Sequence, residues 1–280
     1  GKTLVGSDSH TPTCGAMGMI AIGAGGLDVA VAMATGKYYL QCPTVVKVNL
    51  VGKKAPWVSA KDIILYILQQ LTVKGGVNKI IEYTGEGISS LSLTDRATIC
   101  NMGAELGATT SIFPTDKRTK EYLQQQGRVE DYVEIKADED AVYDQELTVD
   151  LSALVPMTAK PHSPDAVVPV KELEGMKINQ VVIGSCTNSS FADMMKAAKI
   201  LKGRKVAEHV SLVIAPGSSS ILAMLAKNGA LGDMVQAGAR ILECGCGPCI
   251  GMGQAPLSKG ISLRTINRNF KGRSGTNDAS

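Results

Sequence analysis

Short apolar runs alternate with amphipathic stretches along most of the chain. Residues 44–51 read TVVKVNLV, and this alternation of apolar and polar positions predicts a β-strand with one buried face. Residues 60–71 follow Ser59 and place Ile63, Ile64, Ile67 and Leu68 on one side of a helix, for which Ser59 is a favourable N-cap. Strands that alternate with helices in this way indicate an α/β protein with mainly parallel sheets.

The same patterns predict most of the remaining elements. Strands are predicted at residues 3–5, 80–83, 180–183, 211–214, 239–242 and 263–265, and helices at 93–106, 119–126, 191–201 and 221–228. Residues 15–34 are small and apolar and predict two closely packed helices. The glycines at 23–26 favour tight packing over a dinucleotide-binding loop, because no strand and no downstream acid lie where that motif requires them.

Changes in composition suggest three domains. We predict the end of a first domain at residues 1–43, a second domain at 44–160, and a third at 161–280 that is incomplete at its C-terminus. The proline-rich segment 156–169 is predicted to be an interdomain linker. Residues 136–150 are acidic but lack the glycine turn and terminal glutamate of a calcium loop, so a solvated connector is expected.

Composition and charge exclude several classes of protein. The 280 residues are 44% hydrophobic and 20% charged, which is typical of a globular protein, and the net charge of +3 does not favour nucleic-acid binding. No apolar run has membrane-spanning length, and no signal peptide is visible. We therefore expect a cytoplasmic protein whose seven cysteines are reduced thiols or metal ligands. Both ends of the chain look like cuts within a longer protein.

Polar or cysteine-bearing loops follow several predicted strands at their carboxyl ends. In a parallel sheet these ends lie along one edge, where α/β proteins place ligand sites. The loops occupy residues 184–190, 216–220, 244–249 and 267–273. A ligand site is therefore expected at this edge of the C-terminal sheet.

The cysteines are the main candidates for metal ligands. Cys246 and Cys249 flank Gly-Pro, a spacing that can bring two thiolates to one metal centre, and Cys186 in GSCTNSS is a candidate third ligand. A thioredoxin-type redox pair and a zinc site compete with this interpretation, although a second Cys-x-x-Cys or a histidine pair for zinc is missing. Cys244 is interpreted as a bystander. Core thiols are the default for Cys14, Cys42 and Cys100.

Asp8, Ser9 and His10 form a second candidate group at the end of the first predicted strand. A catalytic role for His10 competes with a purely structural one. Asn101 and Glu105 lie four residues apart on one predicted helical face, so a buried polar pair is possible. In the last polar loop the guanidinium groups of Arg268 and Arg273 suit carboxylates, with surface charge as the alternative.

Five motifs occur in order along the chain: GSDSHTPT, ATICNMGAELGATTSIFP, GSCTNSS, CGPCIGMG and NRNFKGRSGT. Together they resemble the aconitase family of iron–sulfur hydro-lyases over essentially the whole chain. IGAGGLDVA, VSAKDIIL and CNMGAE resemble aconitases of bacterial type more than isopropylmalate dehydratases. The resemblance implies three-layer α/β/α domains, with a cluster site at the domain interface.

The resemblance also implies roles for individual residues. Three cysteines ligate a [4Fe–4S] cluster: Cys186, Cys246 and Cys249. Asn101 and Asn267 lie beside it. The substrate pocket is lined by Asp8, Ser9 and His10, with His10 paired to Glu105 and with His10, Glu105 and Asp8 in catalytic roles. Arg268 and Arg273 hold carboxylates of a tricarboxylate substrate. Cys244 departs from the family pattern before CGPC.

The implied reaction interconverts citrate and isocitrate through cis-aconitate, a step of the tricarboxylic acid cycle. The family's base is a serine in a C-terminal swivel domain, which follows Ser280 in the same chain or belongs to another chain. We therefore expect these 280 residues alone to be inactive. The alternatives are a hydro-lyase acting on isopropylmalate or homoaconitate, an RNA-binding aconitase-like regulator, and a non-catalytic scaffold.

Overall fold

The computed structural model describes residues 1–280 as two compact units. The first comprises Gly1–Thr158 and Val167–Val170, and the second comprises Ala159–Ala166 and Lys171–Ser280. The first unit therefore contains residues 1–43 together with the segment predicted to be a second domain. The three-domain division stays a prediction.

A four-stranded parallel sheet forms the centre of the first unit. Its strand order is β5-β4-β3-β6, from β3 (Thr44–Val51), β4 (Lys79–Thr84), β5 (Thr110–Ile112) and β6 (Gln145–Asp150). The alternation in β3 buries Val46, Val48 and Leu50 completely. Two helices, α2 (Ala60–Leu71) and α3 (Leu93–Gly103), carry much of the remaining buried apolar surface. The α/β class and the parallel sheet are confirmed.

The N-terminal segment differs from the prediction of two helices. A parallel pair of strands, β1 (Thr3–Gly6) and β2 (Ile20–Gly23), encloses a 3-10 helix at Thr11–Met17, and α1 (Gly26–Thr35) follows. Gly18 ends the 3-10 helix with a φ of +69°, a conformation that a glycine adopts without strain. The apolar residues after it pair with β1 instead of continuing a helix.

Strand β6 corrects another sequence-based expectation. The acidic connector ends in β6, which pairs with β3 along its whole length and buries Val149, while its acidic side chains alternate toward solvent. Pairing with a neighbouring strand here outweighs weak local propensity.

The segment predicted to be an interdomain linker contains two short paired strands, β7 (Met157–Ala159) and β8 (Val167–Pro169). The chain passes between the two compact units within and directly after this segment.

The second unit has its own four-stranded parallel sheet. Its order is β11-β10-β9-β12, from β9 (Gln180–Gly184), β10 (Ser211–Ala215), β11 (Arg240–Ile241) and β12 (Ser262–Arg264). Three helices accompany it: α5 (Phe191–Leu201), α6 (Ser219–Lys227) and α7 (Ala230–Gln236). Met194, Ile214, Leu225 and Met234 form its main core. Because all four strands are parallel, the loops after them leave the same edge of the sheet.

The remaining helix, α4 (Lys117–Gln125), lies on the first unit. Its N-cap is Asp116, whose carboxylate accepts hydrogen bonds from the backbone N–H groups of Arg118 and Thr119. No helix of the structure has the length and apolar character needed to cross a membrane.

An ion pair between the fully buried Arg96 and the partly exposed Asp116 ties α3 to the start of α4. The fully buried Arg96 guanidinium donates to both carboxylate oxygens of Asp116, at 3.1 and 2.5 Å, and to the Ile88 and Pro114 carbonyls. Burial raises the pKa of Asp116, but hydrogen bonds and charge from Arg96, together with the N-cap bonds, outweigh burial and lower the pKa overall. The pair is therefore a pH-dependent source of stability.

We expect Asp116→Asn to lower the free energy of unfolding of the first unit by about 1 to 3 kcal/mol at pH 7, because it leaves the buried Arg96 guanidinium without its partly exposed counter-charge. The folded pKa of Asp116 lies below the unfolded value of about 3.9. The stabilisation by the ionised Asp116 carboxylate is thus complete at pH values above the unfolded pKa, and it is lost as the pH falls through the folded pKa. Urea denaturation at pH 7 and at acidic pH measures the free energy of unfolding of wild type and variant. The difference between the two proteins should be smaller at acidic pH.

Asp131→Asn is the matched control. Asp131 pairs with Arg128 at 2.7 Å, but both side chains are exposed, so its loss is expected to change stability by less than about 0.5 kcal/mol. Equal effects of the two substitutions would contradict the claim that the buried Arg96 depends on the charge of Asp116.

Candidate functional site

The loop after β1 holds Asp8, Ser9 and His10 in a fixed conformation. The Asp8 carboxylate accepts a hydrogen bond from the His10 backbone N–H at 2.6 Å, and the Thr11 hydroxyl donates to the Asp8 carbonyl at 2.7 Å. Gly23 of β2 lies so close beneath the loop that a Cβ atom there would stand 2.8 Å from the Asp8 carbonyl oxygen. The loop conformation thus depends on a residue without a side chain at position 23.

His10 and Glu105 form the central contact of the first unit's candidate site. His10 Nε2 donates to Glu105 Oε1 at 3.2 Å, and the two side chains are only 14% and 4% exposed. The other ring nitrogen, Nδ1, lies 3.3 Å from the Ser9 hydroxyl and 3.7 Å from the Asp8 carboxylate. The structure therefore brings together the three residues with predicted catalytic roles, Asp8, His10 and Glu105, and Ser9, which was predicted to line the substrate pocket.

Asn101 and Glu105 are both buried, as the spacing on α3 suggested. Glu105 lies in a 3-10 turn, Ala104–Leu106, that continues α3. The Asn101 amide donates to the Thr13 hydroxyl at 3.0 Å, which joins α3 to the 3-10 helix after His10. The polar face of α3 is thus directed at the His10 segment.

The remaining thiols of the first unit do not form a ligand set. Burial raises the pKa of Cys14, and it raises that of the fully buried Cys100 much further. Cys100 is a core thiol, as expected, and Cys14 is half-buried. Cys42 is exposed, so its assignment to the core is wrong.

In the second unit, the loop after β9 turns sharply before Cys186. Gly184 has a φ of +121°, and a Cβ atom there would lie 1.9 Å from the Ala215 carbonyl oxygen of the neighbouring strand. Ser185 follows with a φ of +65°, unusual for a residue with a side chain, and its N–H donates to the same carbonyl at 3.0 Å. This turn presents Cys186 as an exposed thiol at the edge of the sheet.

The loop after β11 carries the other two candidate ligands. Cys246 is the exposed N-cap of a 3-10 helix, Gly247–Ile250, while Cys249 is buried against Val182 and Val213. Arg273 Nη2 donates to Cys249 Sγ at 3.5 Å. One predicted ligand and one predicted carboxylate-binding residue are therefore in direct contact.

Asn267 and Arg268 follow β12 in the last polar loop. Asn267 is 5% exposed, and Arg268 and Arg273 are half-buried. Partial burial distinguishes the two arginines from ordinary surface charge. Their role in binding carboxylates stays a prediction.

Sequence reasoning missed Arg264, to which it gave no role beyond membership of a strand. Its guanidinium donates to the Pro248 carbonyl at 3.3 Å, between the two cysteines of CGPC. Burial lowers the pKa of Arg264, and the nearby Cys249 thiol opposes that effect. The only signal in the sequence was a charged residue inside a short, otherwise uncharged strand.

The arrangement of the three cysteines does not suit a single metal ion. No group of three or more His, Cys, Asp or Glu side chains is spaced to hold a single metal ion. An iron–sulfur cluster binds each thiolate on a different iron, so its ligands lie farther apart than those of one ion. All seven cysteines are free thiols, and Cys186, Cys246 and Cys249 leave the same edge of one sheet.

Buried polar atoms near these loops also fit an inorganic cluster. Ser185 Oγ and Arg273 Nε are buried without a hydrogen-bond partner. Such atoms are rare in native proteins, and hydroxyl and guanidinium groups are suitable donors to cluster sulfur. The donor set and its surroundings therefore fit an iron–sulfur cluster.

Comparison with known proteins identifies the family of this chain. The sequence model of the aconitase family (aconitate hydratase) matches residues 1–280. The chain belongs to the aconitase family. Members of this family are hydro-lyases, and they use a [4Fe–4S] cluster. The resemblance and the α/β fold inferred from the five motifs are thereby confirmed at the level of the family.

Individual relatives refine the comparison. The "3-isopropylmalate dehydratase large subunit 2" of Archaeoglobus fulgidus is 44% identical over 280 residues, covering 100% of this chain and 67% of the relative. The corresponding large subunit of Clostridium kluyveri is 44% identical, covering 98% and 66%. The mitochondrial aconitate hydratase of Schizosaccharomyces pombe is 44% identical over 301 aligned residues, covering 100% and 38%. The chain thus spans about two thirds of the dehydratase subunits.

Proposed function

We propose that the protein is the large subunit of an aconitase-family dehydratase that acts on 3-isopropylmalate. The proposed substrate rests on the 44% identity, over the whole chain, to a 3-isopropylmalate dehydratase large subunit. The sequence motifs had favoured citrate and isocitrate, with isopropylmalate as an alternative. Several of the most similar relatives share the alternative's name, so we prefer it.

Cys186, Cys246 and Cys249 are the proposed cluster ligands. With three protein thiolates, a cluster keeps one iron that carries no cysteine, and when bound it supplies a Lewis acid for the substrate hydroxyl. Ser185, whose Oγ is buried without a hydrogen-bond partner, would donate to a sulfur atom of the cluster. Cys244 has no ligand role in this proposal.

His10 is the proposed proton donor to the leaving hydroxyl. Glu105 occupies Nε2 and fixes the orientation of the ring, which leaves Nδ1, beside Ser9 and Asp8, as the nitrogen for proton transfer. Asp8 and Ser9 thus act with His10 at one end of the substrate.

Arg268 and Arg273 are the proposed binding residues for the two carboxylates of the malate unit. Guanidinium groups bind carboxylates with paired hydrogen bonds, and partial burial strengthens those bonds. This malate unit is common to isopropylmalate and isocitrate. The preference for isopropylmalate or isocitrate therefore depends on the residues around the substituent in which the two acids differ.

The partner we propose is a small subunit, as the relatives' name "large subunit" suggests. It takes the place of the swivel domain expected from the resemblance, and we assign to it the base that removes the carbon-bound proton. The 280 residues without that partner are then expected to be inactive.

Turnover by the complete protein with its small subunit tests the substrate. We expect kcat/KM for 3-isopropylmalate to exceed that for isocitrate by on the order of 100-fold, because a site that accepts the apolar isopropyl group would leave the extra carboxylate of isocitrate unpaired. Initial rates with each acid, under anaerobic conditions, measure the ratio. A larger kcat/KM for citrate or isocitrate would overturn the substrate assignment.

Aconitate hydratase is the second candidate. The Schizosaccharomyces pombe relative favours it, with the same 44% identity across 100% of this chain. The two candidates share the cluster ligands, the His10–Glu105 pair and the arginines. The kcat/KM ratio above separates them.

A further inference from the structure

Arg264 stands at the centre of a polar cluster that no part of the proposed mechanism uses. On β12 its Nε donates to the Ser262 hydroxyl at 2.8 Å and its Nη2 to the Gln180 side-chain oxygen at 3.0 Å. Its Nη1 donates to the Pro248 carbonyl at 3.3 Å and to the Ser274 hydroxyl. One guanidinium thus joins two strands, the cysteine loop and the C-terminal segment of the second unit.

The contact with Pro248 lies between Cys246 and Cys249. Two backbone bonds are internal to the loop, from Cys249 N–H to the Cys246 carbonyl at 3.0 Å and from Met252 N–H to the Gly247 carbonyl at 2.8 Å. Cys249 also packs against Val182 and Val213 and accepts from Arg273. The bond from Arg264 adds a direct tie between the backbone of the loop, at Pro248, and strand β12. Arg264 therefore contributes to the position of the two thiols relative to the sheet.

The charge of Arg264 is not neutralised by a carboxylate. None of the ion pairs in the structure includes it, and its acceptors are two hydroxyls, one amide oxygen and one backbone carbonyl. Gln180, which accepts from it, is 1% exposed. A largely desolvated cation without a counter-ion, close to Cys249, favours negative charge on that side of the loop.

We propose that Arg264 is a positioning residue of the cluster site, which fixes the Cys246–Cys249 loop and stabilises the more negative state of the cluster. This inference rests on the proposed ligation by Cys246 and Cys249. Reduction adds one negative charge to an iron–sulfur cluster, so a fixed cation nearby favours the reduced form. Removal of the Arg264 charge lowers the reduction potential of the cluster. Removal of the hydrogen bonds that the planar guanidinium fork of Arg264 donates loosens the Cys246–Cys249 loop.

Arg264→Met and Arg264→Lys in the complete protein separate these effects. Lysine keeps the charge but lacks the planar fork, and methionine lacks both. At a fixed potential, we expect Met to change the ratio of oxidised to reduced cluster at least tenfold, which is about 59 mV for a one-electron couple, while Lys stays near wild type. With Met, iron loss to a chelator is expected to be about tenfold faster.

A measurement without iron tests the positioning role directly. In the iron-free protein, hydrogen–deuterium exchange of the peptide covering residues 246–252 is expected to be about tenfold faster in Arg264→Met than in wild type. Arg240→Met is the matched control, since exposed Arg240 lies on the same sheet and donates to Gln254 instead of the cysteine loop. It should leave all three readouts unchanged.

Different outcomes would overturn the role of Arg264 and the proposed cluster-binding function. Unchanged exchange, iron loss and potential in Arg264→Met would overturn the role of Arg264, as would equal shifts in Arg240→Met. A wild-type protein that binds no iron after anaerobic reconstitution would instead overturn the proposed function. If the Met variant does not fold, a wild-type-like exchange rate in Arg264→Lys overturns the positioning role, because lysine cannot reproduce the fork.

Discussion

His10→Asn lowers kcat of the complete dehydratase by about 100- to 10,000-fold, the usual contribution of a positioned general acid or base. The reason is geometric. Glu105 holds one ring nitrogen at 3.2 Å, so the other nitrogen faces Ser9 and Asp8 with a defined orientation. Asparagine keeps a polar group of similar size but carries no exchangeable proton of suitable pKa. Steady-state kinetics with saturating substrate measure the loss.

Glu105→Gln and His209→Asn complete this experiment. Glutamine still accepts the hydrogen bond from Nε2 but carries no charge, so we expect a smaller loss of about tenfold in kcat. His209 is exposed and lies in a loop of the second unit, and its substitution should leave kcat unchanged. A His10→Asn variant with kcat within threefold of wild type would show that His10 is structural.

Cys186→Ser, Cys246→Ser and Cys249→Ser each abolish most cluster binding, with less than about a tenth of the wild-type cluster retained after anaerobic purification. Serine has nearly the same shape but is a poor ligand for iron in a thiolate cluster. Loss of the visible absorption of the cluster measures the effect. All three variants should behave alike, because a cluster with two protein ligands is not held.

Cys244→Ser is the decisive control, since Cys244 lies two residues before Cys246 and is half-buried. We expect it to retain the cluster. Cys42→Ser, at an exposed thiol of the first unit, controls for the substitution itself. If Cys244→Ser loses the cluster while Cys186→Ser keeps it, the ligand assignment is wrong and the loop after β11 supplies all three thiolates.

The periodic parts of the fold were predictable because local pattern and tertiary environment agree there. Strand β3 alternates in sequence and buries one face, and α2 begins after its predicted cap at Ser59. Strand β6 was missed since its sequence, QELTVD, is mostly polar and becomes a strand only by pairing with β3. Strand β2 was missed because a short run of small residues suits either element.

The candidate site was also predictable only in part. The groups that short motifs single out, at His10, Cys186 and Cys249, follow strands as predicted, because a parallel sheet places its carboxyl ends together. Two structural requirements were not visible in the sequence: the positive φ of Ser185 and the four acceptors of Arg264. Both depend on distant segments, Ala215 for the former and Gln180 and Ser274 for the latter.

The iron and acid-labile sulfide content of the anaerobically reconstituted protein reports directly on the proposed ligand set. It is measured beside a variant in which Cys186, Cys246 and Cys249 are all serine. We expect about four iron atoms and four sulfides per chain in the wild type, and close to none in the triple variant. Equal iron and sulfide in both proteins would contradict the claim that these three thiols hold the cluster.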